Sequence, residues 1–167
     1  MINRWTVAVV TVSMLAVAGL AQAKPAKTKK ASGTPIDGVW NAKGTVTVAK
    51  HIADEKVGDT ITRRWTIKSS CAGACKTTLG YQTSSGHHIT VPLQGKGAGW
   101  HGRVDNVSSP CTNGGTATGP LTFKLHVTGF TKKKKQKIAS GMSSTATQSG
   151  TGCANVKLVV KFVLSRA

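Results

Sequence analysis

The chain has 167 residues, with 23 Lys plus Arg against 5 Asp plus Glu, a formal net charge of +18 and a 39% hydrophobic content. That length admits one ordinary domain, and the patterned apolar residues argue against a chain that is disordered throughout. Asp37, Asp54, Glu55, Asp59 and Asp105 are the whole carboxylate supply, which leaves little for catalysis by paired acids.

Taken in chain order, residues 1–23 read as a secretory signal peptide. Arg4 supplies the positive start, Trp5 to Leu20 an uncharged apolar stretch, and Ala21-Gln22-Ala23 a small-x-small cleavage signal. The expectation is a secreted protein, extracellular or associated with the cell envelope. No later segment is long and apolar enough to predict a transmembrane helix. Residues 24–35 are basic, contain Pro, Ser and Gly, and lack apolar periodicity, which predicts a disordered tether. Residues 36–167 remain for the folded domain, enough to bury one core.

Helix signals are nearly absent there, and runs of period two dominate. The first run places Trp40, Ala42, Gly44, Val46 and Val48 on one face. The second places Ile61, Arg63, Trp65 and Ile67, the third Thr77, Leu79 and Tyr81, and the fourth Ile89, Val91 and Leu93. The fifth aligns Ala98, Trp100, Gly102 and Val104, and the sixth Leu121, Phe123, Leu125 and Val127. The weaker seventh aligns Ile138, Ser140, Met142 and Ser144. The last aligns Val156, Leu158, Val160, Phe162 and Leu164, with Val159 and Val163 interrupting its outer row. That interruption predicts either cover on both faces or pairing with another subunit. Eight strands on mostly short connections predict an all-β, antiparallel up-and-down meander. A barrel is favoured over a two-sheet sandwich, because closure removes the sheet edges.

An even number of cysteines in an exported chain predicts two disulfides. In a meander, Cys111 and Cys153 fall in loops at one end, and Cys71 and Cys75 flank a turn at the other. A bridge needs Cα atoms within about 7 Å, so Cys71–Cys75 and Cys111–Cys153 are the expected pairs. The Cys71-x-x-x-Cys75 spacing does not match zinc-ribbon or redox motifs, and no metal site or cofactor is expected.

Trp40, Arg63, Trp65, Tyr81 and Trp100 all fall in inward rows. They form the candidate ligand-binding set if the barrel encloses a mostly apolar cavity, or the core if the rings fill it. Arg63 in such a row needs water at the rim, a carboxylate such as Asp37 or Asp59, or an anionic ligand. Lys132, Lys133, Lys134, Lys135 and Lys137 crowd one hairpin tip. With the basic tether they form the candidate anionic-surface-binding set, suited to wall polymers, anionic lipid headgroups, polysaccharides or extracellular nucleic acid. Basic residues without interleaved aromatics or a recognition helix do not predict sequence-specific nucleic-acid binding. Motifs for acyl transfer, nucleotide phosphates and zinc hydrolysis are missing. His51, His101 and His126 have no partner at a telling spacing, so no catalytic residue and no enzyme is predicted.

Gly38-Val39-Trp40 at the start of the first strand resembles the Gly-x-Trp opening of the calycins, the lipocalin and avidin-like barrels. That resemblance implies an eight-stranded barrel closed at its base by Trp40, around a small, often apolar ligand. Lipocalins also carry an Arg near the last strand that packs on this Trp; Arg166 follows the last predicted run. Their Thr-Asp-Tyr-like turn motif is missing here. In composition the chain is also similar to small exported proteins of high-GC Gram-positive bacteria, which implies no activity. The leading expectation is a secreted, non-catalytic barrel holding a small apolar or amphipathic ligand among its Trp residues. The alternative is an envelope-associated protein that binds anionic polymers or lipid headgroups through its Lys clusters.

Overall fold

The computed structural model describes residues 35–70, 76–83, 86–133 and 136–167, without the side chains of positions 133 and 136. The expected signal peptide and tether therefore lie outside the described residues, apart from Pro35. So do Cys71, Cys75, Lys134 and Lys135. The remainder forms one antiparallel sheet: β1 (Gly38–Lys50), β2 (Thr60–Ser70), β3 (Lys76–Gln82), β4 (His88–Lys96), β5 (Gly99–Pro110), β6 (Thr116–Lys133), β7 (Gln136–Gly150) and β8 (Val156–Arg166). Each strand pairs with the next, and β8 closes on β1 to complete a barrel. Trp40 faces Trp65 across β1 and β2, while Ala42 faces Leu164 across β1 and β8. The expected barrel is thus found, and the sandwich is not.

This connectivity gives the barrel two unlike ends. The lower end carries the chain's entry at Pro35, the start of β1, the β6–β7 turn and the end of β8. The upper end carries the connections after β1, β3, β5 and β7.

Inward alternation follows the sequence closely in most strands. Trp40, Ala42 and Val46 are buried on β1, Trp65 and Ile67 on β2, and Leu121, Phe123, Leu125 and Val127 on β6. Burying each such large apolar side chain is worth about 1.5–3 kcal/mol. Gly44 is part of the same fit: a Cβ there would lie 2.5 Å from the Phe162 ring.

Three departures have local causes. On β1 the register shifts between Val46 and Val48, so the expected inward Val48 gives way to Ala49, which packs against the core. On β5 the register shifts between Val104 and Val107, with Asn106 at φ 60°. Strict alternation from Val104 would turn Asn106 inward; the bulge leaves Asn106 exposed and buries Val107 instead. On β7 the expected row of Ile138, Ser140, Met142 and Ser144 is corrected in its first half. Pairing steps from Gly129↔Gly141 to Phe130↔Ala139, so Ser140 is passed over. Ala139 is buried in place of Ile138 and Ser140, and Met142, Ser144, Ala146 and Gln148 continue the inward row.

The upper end is tied by the Cys111–Cys153 disulfide, with Cα atoms 6.6 Å apart and a sequence separation of 42. Ile52, Cys111, Ala117 and Val156 pack as a small second cluster around it. Residues 51–59 are drawn over the barrel mouth. Ala53 N–H donates to the Pro110 carbonyl (3.1 Å), and Thr112 N–H donates to the His51 carbonyl (3.2 Å).

Candidate functional site

The candidate ligand-binding residues are not arranged around an open space. Trp40 sits at the lower end, where its Nε1–H donates to the Ile36 carbonyl at 2.9 Å. The Arg166 guanidinium lies 4.6 Å from its ring centroid. That guanidinium is fixed by donating Nε–H to the Ala139 carbonyl and an Nη1 hydrogen to the Asp37 carbonyl, each at 2.7 Å. A cation over an indole face with two backbone acceptors is a stable lock. It ties β8, β7 and the start of the chain together under the barrel.

Above it, Trp65 meets Tyr81, Phe123 and Phe162 at ring-centroid distances of 5.9, 5.6 and 4.9 Å, and Tyr81 meets Phe123 at 5.1 Å. These tilted and edge-to-face contacts are the favourable geometries for aromatic pairs. Trp100 stands apart on β5, its ring against Gly95, where a Cβ would lie 2.6 Å away. The structure therefore brings Trp40, Trp65 and Trp100 into one contiguous core with Tyr81 packed against it, although Trp100 stacks on Gly95 rather than joining the group of rings around Trp65. Toward the mouth, Ile61, Tyr81, Leu121, Gln148 and Glu55 border a remaining space of about 20 Å³, room for about one water-sized body.

Arg63 occupies the inward row next to Trp65. Its Nη1 donates to the carbonyl of neighbouring Thr62 at 3.0 Å, while its Nε is enclosed and makes no hydrogen bond. Asp59, one expected partner, instead accepts the Lys56 N–H on Oδ2 at 2.7 Å. Arg63 and Glu55 both act on Tyr81. Burial raises the phenol above its usual 10.0, Arg63 draws it down, and Glu55 pushes it up. The folded state thus holds the phenolic proton longer than the unfolded chain does. The resulting stability is complete below pH 10 and is lost as pH rises through the raised folded value. Urea midpoints measured from pH 8 upward should fall more steeply above pH 10 in the wild type than in Tyr81→Phe. Parallel curves would mean that the phenol is not enclosed.

The exterior has a different character. Asp105 is the one carboxylate carried by any of the eight strands, and it is paired with Arg103 at 2.8 Å. Asp54, Glu55 and Asp59 all lie in the connection after β1, at the upper end. Outward positions elsewhere are rich in Lys, Thr and Ser. At the lower end, Lys132 is exposed, and Lys137 Nζ lies 3.8 Å over the half-exposed Phe130 ring. Of the expected Lys cluster, these two have described side chains.

Roomier spaces are shallow grooves on the outer wall. One of about 480 Å³ crosses β6, β7 and β8 between Lys124 and Lys161. Another of about 340 Å³ lies over Gly80, between Arg64, Lys68 and His88. Sequence reasoning missed both. The signal was present in the outward rows of the strands, but which rows become neighbours depends on register. No group of three or more His, Cys, Asp or Glu able to hold a metal occurs among the described residues. Comparison with protein families, with curated proteins and with solved structures gives no match.

Proposed function

We propose that the protein works from its outside, as a secreted, non-catalytic, envelope-associated protein that binds anionic polymers through its cationic surface. The observation that carries this reading is the charge distribution: strands with many outward Lys residues and a single carboxylate, Asp105, already paired with Arg103. A field of one sign attracts polyanions and is screened by salt. The lower end adds to it with Lys132 and Lys137, beside the point where Pro35 accepts the Ala139 N–H.

The small-ligand reading is the weaker one. Admitting a guest among Trp40, Trp65 and Tyr81 would require Trp65, Phe123 and Phe162 to separate, at the cost of their mutual packing. The stack of Arg166 on Trp40 supports a calycin-like construction, but in this chain it serves a filled interior.

The test is binding of the folded domain to immobilised anionic polymers and to anionic vesicles, across a range of NaCl concentrations. Retention should fall steeply with salt, and Lys132→Gln with Lys137→Gln should weaken it further. Retention that is independent of salt, or a small molecule carried through purification in the interior, would overturn the reading.

A further inference from the structure

We propose that the polyanion lies along one defined track on the barrel wall, and that its chemistry is a flexible phosphodiester-linked polyol chain. This rests on the surface-binding reading above and assigns it a site. The track follows from register. Lys124 on β6 and Lys161 on β8 both pair with Thr145 on β7, one from each side. They therefore flank a hydroxyl-bearing floor two strand spacings wide, about 9–10 Å. This is the groove of about 480 Å³, floored by Ser143 and Thr145.

The line then continues across the barrel seam. Lys43 on β1 pairs with Val163, which places it diagonally beside Lys161, at about 7–8 Å between backbones. Lys43 also pairs with Thr62, and Asn41 with Arg64, so Arg64 is the next diagonal neighbour. Arg64 and Lys68 then open the groove over Gly80. Lys124, Lys161, Lys43, Arg64 and Lys68 are all exposed, and β6, β7, β8, β1 and β2 carry no carboxylate at all.

The lining selects the polymer class. Four of the five cations are Lys, which binds phosphate as a point charge and does not impose the planar, bidentate geometry that Arg offers to carboxylates and phosphates alike. Bases need stacking platforms, and Phe130, the large aromatic exposed on this side, lies off the track under Lys137. Between the cations lie Ser143, Thr145, Thr45, Thr62 and Thr66, which offer hydroxyls to a polyol, and one exposed apolar side chain, Val163, which can meet its methylene groups. A chain whose anions recur every few bonds can bend to follow diagonal steps around a curved wall; a stiff ring polymer cannot.

The test measures binding of short synthetic poly(glycerol phosphate), single-stranded DNA and hyaluronate to the folded domain at several salt concentrations. Lys124→Gln with Lys161→Gln should lower affinity for poly(glycerol phosphate) about tenfold and reduce the log–log salt slope by between about one and two. Gly80→Leu leaves charge unchanged and adds a side chain whose Cβ has ordinary clearance, 3.5 Å from the Thr66 carbonyl. It should obstruct the second groove and weaken binding several-fold, with an unchanged thermal midpoint. If these variants bind normally while Lys132→Gln/Lys137→Gln abolishes binding, the track is wrong. DNA or hyaluronate binding as tightly as poly(glycerol phosphate) overturns the polymer class. If no polyanion binds the wild type, the parent reading falls with it.

Discussion

Replacing Trp65 with Ala should lower stability by about 3–5 kcal/mol, the range for removing a large buried aromatic. In a domain of this size that is a fall in Tm of about 10–20 °C. Trp65 is fully buried and touches three other rings; Tyr81, Phe123 and Phe162 come from β3, β6 and β8, so the loss is felt around much of the barrel. Thermal unfolding followed by circular dichroism reads the effect. The substitution also leaves an apolar space, and such engineered spaces accept small aromatic molecules. Added indole should therefore raise the Tm of Trp65→Ala and leave the wild type unmoved. A variant within about 3 °C of wild type would mean that the rings do not fill the interior. Indole stabilising the wild type would mean that a cavity already exists.

Converting both Cys111 and Cys153 to Ser should cost about 4 kcal/mol in the chain-entropy account, for a separation of 42 residues. The effect is read as a fall in the urea midpoint, with a somewhat steeper slope because the uncrosslinked denatured chain exposes more surface. A second consequence is local. Ile52 packs against Cys111 in the upper cluster, so residues 51–59 should lose amide-exchange protection in the double variant before the strands do. A cost below about 1 kcal/mol with unchanged exchange in that segment would show that the bridge does not hold the mouth closed.

Much of this architecture is legible from alternation. The inward rows of β2, β4, β6 and β8, and of β1 as far as Val46, follow directly from period-two patterning, because an inward apolar row has one solution once the sheet closes. What alternation does not carry is a break in parity. Nothing in the residues around Gly129 announces the step that buries Ala139 in place of Ile138 and Ser140. A glycine permits such a step without dictating it, and the packing of the facing strands decides. The candidate site shows the same division. That Trp40, Trp65 and Tyr81 point inward is readable, but whether their rings meet or leave a gap is a matter of a few ångströms across strands distant in sequence. The Arg166 lock on Trp40 lies at the limit of what a sequence conveys: both residues are visible, and their stacking appears only when β8 returns to β1. Likewise, the row of Lys124, Lys161 and Lys43 is scattered through the chain and becomes a line only through barrel closure.

That closure also sets the order in which the chain can fold. Every other strand pair is a hairpin between sequence neighbours, but β1 and β8 join residues such as Trp40 and Arg166 from opposite ends of the domain. Contacts of such long sequence separation form against a large loss of chain freedom and slow the overall reaction. The hairpins can assemble first, leaving β1 and β8 as the last edges to meet. Until then, the Val156–Arg166 segment is an exposed, strongly apolar strand of the kind that associates between molecules. Lys157 and Lys161, spaced along its outer row, supply the repulsion that keeps two unfinished copies apart.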